Sequence, residues 1–253
     1  MTGRALVDYG LLLDVIGIET DLMAATSHDA ERAAPVPGCP GLTLGETVRH
    51  VGSVHRHTYA WVKEGRRPSR WQRDPSPWQS PEDYLRAGAS TLVAELADHS
   101  SEEYCSTWWP EDETCGFWCR RMAHETTVHR VDVQGARASE ISPVDYDVAL
   151  DGIDEVLTLW WLRRLAIIGV TGTTDATVAV RSGGREWLAR AGPSGTAVAQ
   201  VTPGVERSDA VISEEPMAVY LWLWGRRAPN AVHRDGNDEA IAQLWALLRL
   251  ATR

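Results

Sequence analysis

A chain of 253 residues, 43% hydrophobic and 24% charged, can fold as one large domain or two medium ones. Its net charge of −10 offers no basic stripe to a nucleic acid or an anionic membrane, so neither is expected as a partner. An anionic small molecule would need a local cation to hold it.

Leu11 to Ile18 is apolar but contains Asp14 and lacks a basic leader, so it does not read as a signal peptide. Val156 to Val170 is broken by Arg163 and Arg164, which argues against a transmembrane helix. A cytoplasmic protein is expected, monomeric or homodimeric, with Cys39, Cys105, Cys115 and Cys119 reduced.

In chain order, Leu6, Leu12, Leu13, Ile16 and Met23 follow helical spacing through residues 4–27. Pro35 to Gly41 is a loop. Thr43 and Glu46 form a capping box, and Leu44, Val48, Val51, His55, Thr58 and Val62 make the apolar stripe of a second helix that stops at Gly65. After a Trp- and Pro-rich connection, Ser80-Pro81 starts a third helix. Trp108-Trp109-Pro110 and the acids after it make another loop, and a fourth helix runs from Cys115 to about Ala138. Ser142 to Asp145 caps a fifth, which ends near Leu165. Beyond Gly169 the pattern alternates in short strands: Thr177 to Arg181, Arg185 to Ala191 after a Gly183-Gly184 turn, Thr196 to Val201, and Asp209 to Ser213. Helices from Pro216 to Trp224 and from Asp238 to Leu250 close the chain. The expected division is 1–168, helical, and 169–253, α+β.

The fourth helix carries Glu125 and His129 at i and i+4, stacked on one face and able to close on one metal ion. His124 and His129 are i and i+5, about 140° apart, and cannot share an ion from a regular helix. A third ligand must come from elsewhere. The second helix offers His50, His55 and His57, among which spacing does not choose. Asp132 shares the Glu125 face and can orient an imidazole, or pair with Arg130 instead. Three ligands from His, Glu and His suit a catalytic zinc with one open position. The ordinary reading of a Glu/His pair at this spacing is a solvated helix face.

Three stretches resemble the mycothiol-dependent maleylpyruvate isomerase family. They are Gly45-Glu46-Thr47-Val48-Arg49-His50-Val51, then Glu125-Thr126-Thr127-Val128-His129-Arg130-Val131-Asp132, and Ser208 to Ser213 followed by Leu221 to Arg226. The resemblance implies a DinB-like N-terminal four-helix bundle of up-down-down-up type, mainly α, and a small α+β sterol-carrier-like C-terminal domain. It implies His50, Glu125 and His129 as ligands of a divalent metal, Zn2+ first. It implies Arg226 as the substrate-binding arginine, in a cleft between the domains, and mycothiol or a similar thiol as cosubstrate. Ser213 departs from the glycine of the family pattern. Trp71, Trp78, Trp108 and Trp109 lie outside that pattern and are expected mostly to pack between helices.

The expected chemistry follows from the thiol. A thiol bound at the metal loses its proton, and the thiolate adds to an activated cis double bond, or takes part in S-transfer, on a small anionic substrate held by Arg226. The alternatives are a metal-dependent hydrolase with zinc-activated water, or a non-catalytic binding or regulatory protein on the same scaffold.

Overall fold

The computed structural model describes residues 4–70 and 74–252, so Trp71 lies outside the described residues. The chain divides into two compact units, 2–142 and 143–253.

The first unit is built on four long helices: α1 (Tyr9–Ser27), α2 (Leu44–Glu64), α3 (Pro81–Ala97) and α4 (Cys115–Ala136). Each begins at a side chain that satisfies a free N–H of the first turn: Asp8, Thr43, Ser80 and Thr114. The capping box at Thr43 and Glu46 is present on both sides, and Gly65, at φ 64°, ends α2 in the left-handed conformation.

Contacts between side chains give the helix directions. His55 of α2 meets Thr126 of α4, and Thr58 meets Met122, so α2 and α4 are antiparallel. Arg56 reaches Tyr84 and Lys63 reaches Glu95, so α2 and α3 run the same way. Cys119 meets Tyr9 and Arg130 meets Glu19, so α1 and α4 also run together. This is an up-down-down-up bundle. Part of its apolar core is the cluster Met23, Ala24, Leu44, Val48, Val51, Leu85 and Val133.

The second unit starts with α5 (Tyr146–Glu155), a π-helical stretch Val156–Arg164 and α6 (Leu165–Ile168). Five strands follow: β1 (Ala176–Ser182), β2 (Arg185–Gly192), β3 (Gly195–Val201), β4 (Ala210–Ser213) and β5 (His233–Gly236). Their order in the sheet is β3-β2-β1-β4-β5, with β1 and β4 parallel and the other neighbours antiparallel. Gly183 and Gly184 both have positive φ, as the tight β1–β2 turn requires. Helices α7 (Pro216–Leu223) and α8 (Asp238–Ala251) complete the unit.

Two features differ from the sequence-based expectation. The division falls after Ser142 rather than near residue 168, because α5 and the π-helical stretch pack inside the second unit. Gly152 of α5 lies so close to the Tyr220 ring that a Cβ there would clash with it. The Trp187 indole donates to Asp154 at 2.9 Å, and that of Trp161 donates to the Ala197 carbonyl at 3.1 Å. Strand β5 was not expected because all four of its residues are exposed and none is apolar. It is an edge strand held by pairing with β4 alone, which leaves no periodic signal. Among the described residues, no helix is long and apolar enough to cross a membrane.

Candidate metal centre

The site lies in the first unit, where α4 faces α2. On α4, Arg121, Glu125 and His129 follow one another at four-residue intervals and form one stripe. From α2, His50 reaches the same stripe. Glu125 Oε1 is 3.3 Å from His50 Nε2 and 3.3 Å from His129 Nε2. The two imidazole rings meet edge to face, 5.2 Å apart between centroids. One ligand atom from each of the three residues falls within 4.8 Å of the other two.

These distances suit a metal ion. Two ligand atoms at about 2.0–2.1 Å from one ion, at the tetrahedral angle, stand about 3.3–3.4 Å apart. The set His, Glu, His supplies two imidazole nitrogens and one carboxylate oxygen, donors that suit zinc and leave a fourth position free.

The surrounding groups fix the proton pattern. His129 Nδ1 lies 3.0 Å from Asp132 Oδ2, whose side chain is fully buried. Both His129 nitrogens therefore face carboxylates, and without a metal both carry protons. Burial pushes the His129 pKa down, but Glu125 and Asp132 outweigh it and raise it to about 9. Burial likewise pushes the Glu125 carboxyl up, while His129, His50 and Arg121 hold it well below the usual carboxylate range. A metal arriving at neutral pH would displace the Nε2 proton of His129, while Asp132 would keep the one on Nδ1 and so hold the Nε2 lone pair toward the ion. Glu125 Oε2 is bound by Arg121 Nη2 at 3.1 Å.

The remaining sequence candidates fall elsewhere. His55 is fully buried. Its Nε2 meets Thr126 Oγ1 at 2.9 Å, and that hydroxyl itself donates to the Met122 carbonyl, so Nε2 carries the proton. Its Nδ1 has no partner. Burial lowers its pKa to about 4, so it is a neutral core histidine. His57 stacks edge-on against Trp61 at 5.6 Å, and His124 is wholly buried in α4 outside the converging set. Arg130, one of the two options for Asp132, pairs with Glu19 at 2.5 Å.

Arg226 belongs to the second unit. Gly225, at φ 73°, and Arg226 return their N–H groups to the carbonyls of Trp222 and Leu221, which closes α7 in a Schellman turn. The Arg226 guanidinium donates to the Trp224 carbonyl at 2.7 Å. Trp108 and Trp109, in the loop before α4, pack edge-to-face on Phe117 of its first turn, while Trp78 is 88% exposed. None of Cys39, Cys105, Cys115 and Cys119 is in a disulfide among the described residues.

Arg121 was not foreseen from the sequence. The signal was available in the spacing Arg121, Glu125, His129, at i, i+4 and i+8, which puts a guanidinium on the ligand stripe.

Residues 17–134 match the family described as the mycothiol maleylpyruvate isomerase N-terminal domain. The chain is also similar to two solved structures. One is the mycothiol-dependent maleylpyruvate isomerase, at 12% identity and a TM-score of 0.59. The other is a histidine-to-alanine mutant of that isomerase, at 11% identity and 0.60. Each likeness covers 91% of this chain and 95% of the other, and at such identity it is a likeness of fold. No curated protein matches the chain.

Proposed function

We propose, from the match of residues 17–134 to the mycothiol maleylpyruvate isomerase N-terminal domain, that the chain is a metal-dependent enzyme using a low-molecular-weight thiol. The substrate class is a small carboxylate-bearing compound with an activated cis double bond, as in the maleylpyruvate named for the similar structures. The observation that carries the proposal is the meeting of His50, Glu125 and His129, with Glu125 Oε1 3.3 Å from each imidazole and all three ligand atoms within 4.8 Å of one another.

A divalent ion held there, zinc by its donor set, would supply Lewis acidity that keeps a thiol as its thiolate near neutral pH. The chain's residues prepare that state. His50 and His129 present Nε2, and Glu125 presents Oε1. Asp132 fixes the tautomer of His129 through Nδ1–H. Asp132 and Arg121 are sealed, whereas His50 and Glu125 are 20% and 18% exposed, so a small molecule approaches from the ligand side.

The thiolate of the cosubstrate adds to the double bond and forms one C–S bond. The former double bond becomes single and turns, and elimination breaks the same C–S bond, returning thiolate and trans product. No atom or electron is gained or lost overall. S-transfer would instead keep the new bond. Arg226 is assigned in this proposal to the substrate carboxylate, on the resemblance of its Gly-Arg pair and the bidentate fit of guanidinium to carboxylate.

The test is turnover of maleylpyruvate by the zinc-loaded protein with and without mycothiol. Activity that needs both metal and thiol supports the proposal. Activity with metal alone overturns the role of the thiol and favours water as nucleophile.

A further inference from the structure

The two oxygens of Glu125 do different work. Oε1 lies 3.3 Å from each of the two ligand imidazoles, while Oε2 is turned away and held 3.1 Å from Arg121 Nη2. Arg121 sits on the closed side, its side chain 4% exposed against 18% for Glu125. A guanidinium stays charged at any working pH, so unlike the proton on His129 Nε2 this partner cannot be displaced by loss of a proton.

The carboxylate could bind an ion through one oxygen or two. With two imidazoles and both oxygens, four positions are filled and a tetrahedral site is closed. With one oxygen, three are filled and one remains. We propose that Arg121 is a positioning residue: by holding Oε2 it confines Glu125 to a single ligating oxygen and keeps the coordination position that the thiol sulfur needs. This rests on the metal and thiol reading given above. It assigns to a buried arginine at the i−4 position of the glutamate a part in deciding how open the metal centre is.

Burial also makes the arrangement hard to undo. A guanidinium taken out of water is tolerated only against a carboxylate, and releasing Oε2 to the metal would break that charge-assisted bond in a site with little solvent to replace it. The metal and Arg121 therefore compete for one oxygen, and the arginine holds it before the ion arrives.

The experiment begins with Co2+ titrated into the full-length wild type. No uptake would sink the metal reading itself. If cobalt binds, the wild type is expected to show the intense visible bands of a low-coordinate site, with a sulfur-to-cobalt charge-transfer band when mycothiol is added. Arg121→Met should bind cobalt but lose the charge-transfer band, and Arg121→Lys, which keeps charge and a donor, should restore that band at least in part. A wild-type charge-transfer band in a cobalt-loaded Arg121→Met protein given mycothiol would overturn the proposal while leaving the metal reading intact. Should the methionine variant fail to fold, a zinc-loaded crystal structure of the wild type decides the matter. Oε2 still on Arg121 supports the proposal, and both Glu125 oxygens on zinc refute it.

Discussion

The two units bury polar groups to different ends. In the second, several polar side chains, buried Glu186 and the half-buried Arg226 and Arg249 among them, satisfy the backbone or pin a loop. Glu186 accepts from Arg181 and from the Gly204 N–H, Arg249 donates to the Leu223 carbonyl, and Arg226 donates to that of Trp224. In the first, His50, Glu125, His129, Asp132 and Arg121 are tied to one another, and one oxygen is shared by two imidazoles. Side chains that crowd around a common carboxylate oxygen, with partial exposure, have room for something else.

The largest effect should come from breaking that convergence. His129→Ala is expected to abolish stoichiometric zinc uptake, measured by metal analysis after dialysis, and with it turnover. Retention of full metal content would remove His129 from the ligand set.

Next is the contrast inside α2 between His50 and His55. His55 has a folded-state pKa lowered to about 4 by burial, below the ordinary value of 6.5. The unfolded chain therefore binds the proton first as pH falls. The stability contributed is intact above about pH 6.5 and is lost between there and about pH 4, up to about 3 kcal/mol. His55→Gln should flatten that segment of a urea-denaturation pH profile, and an unchanged slope would show that other groups carry it.

Asp132→Asn should leave the fold in place but lower zinc affinity by about 10–100-fold, because the partner that orients His129 becomes neutral. Competition against a chelator of known affinity measures this. The smallest expected effect on stability is that of Arg226→Ala. Loss of its bond to the end of α7 should cost about 0.3–1 kcal/mol. If kcat/KM falls by more than the change in stability accounts for, Arg226 serves the substrate; if only Tm moves, it is a helix cap.

Much of the architecture could be read from local chemistry. The Thr43 and Ser80 caps and the Gly65 stop fall where side-chain spacing put them. So does the turn at Gly183-Gly184. The boundary between units could not be read locally, because the place of α5 depends on Tyr220 and Trp187, which lie more than thirty residues downstream. Strand β5 left no trace because an exposed edge needs no apolar alternation.

For the site, the sequence by itself determined that Glu125 and His129 share a helix face, since 3.6 residues per turn leaves no other arrangement. It also set His124 apart from them. Which histidine of α2 joins the pair was decided only when the two helices packed, because helix phase and axial shift are set by the whole contact surface. That packing carried His55 to Thr126 in the core and His50 to Glu125. The packing of α1 on α4 likewise gave Arg130 its partner Glu19, while Asp132 meets His129 one turn away on its own helix.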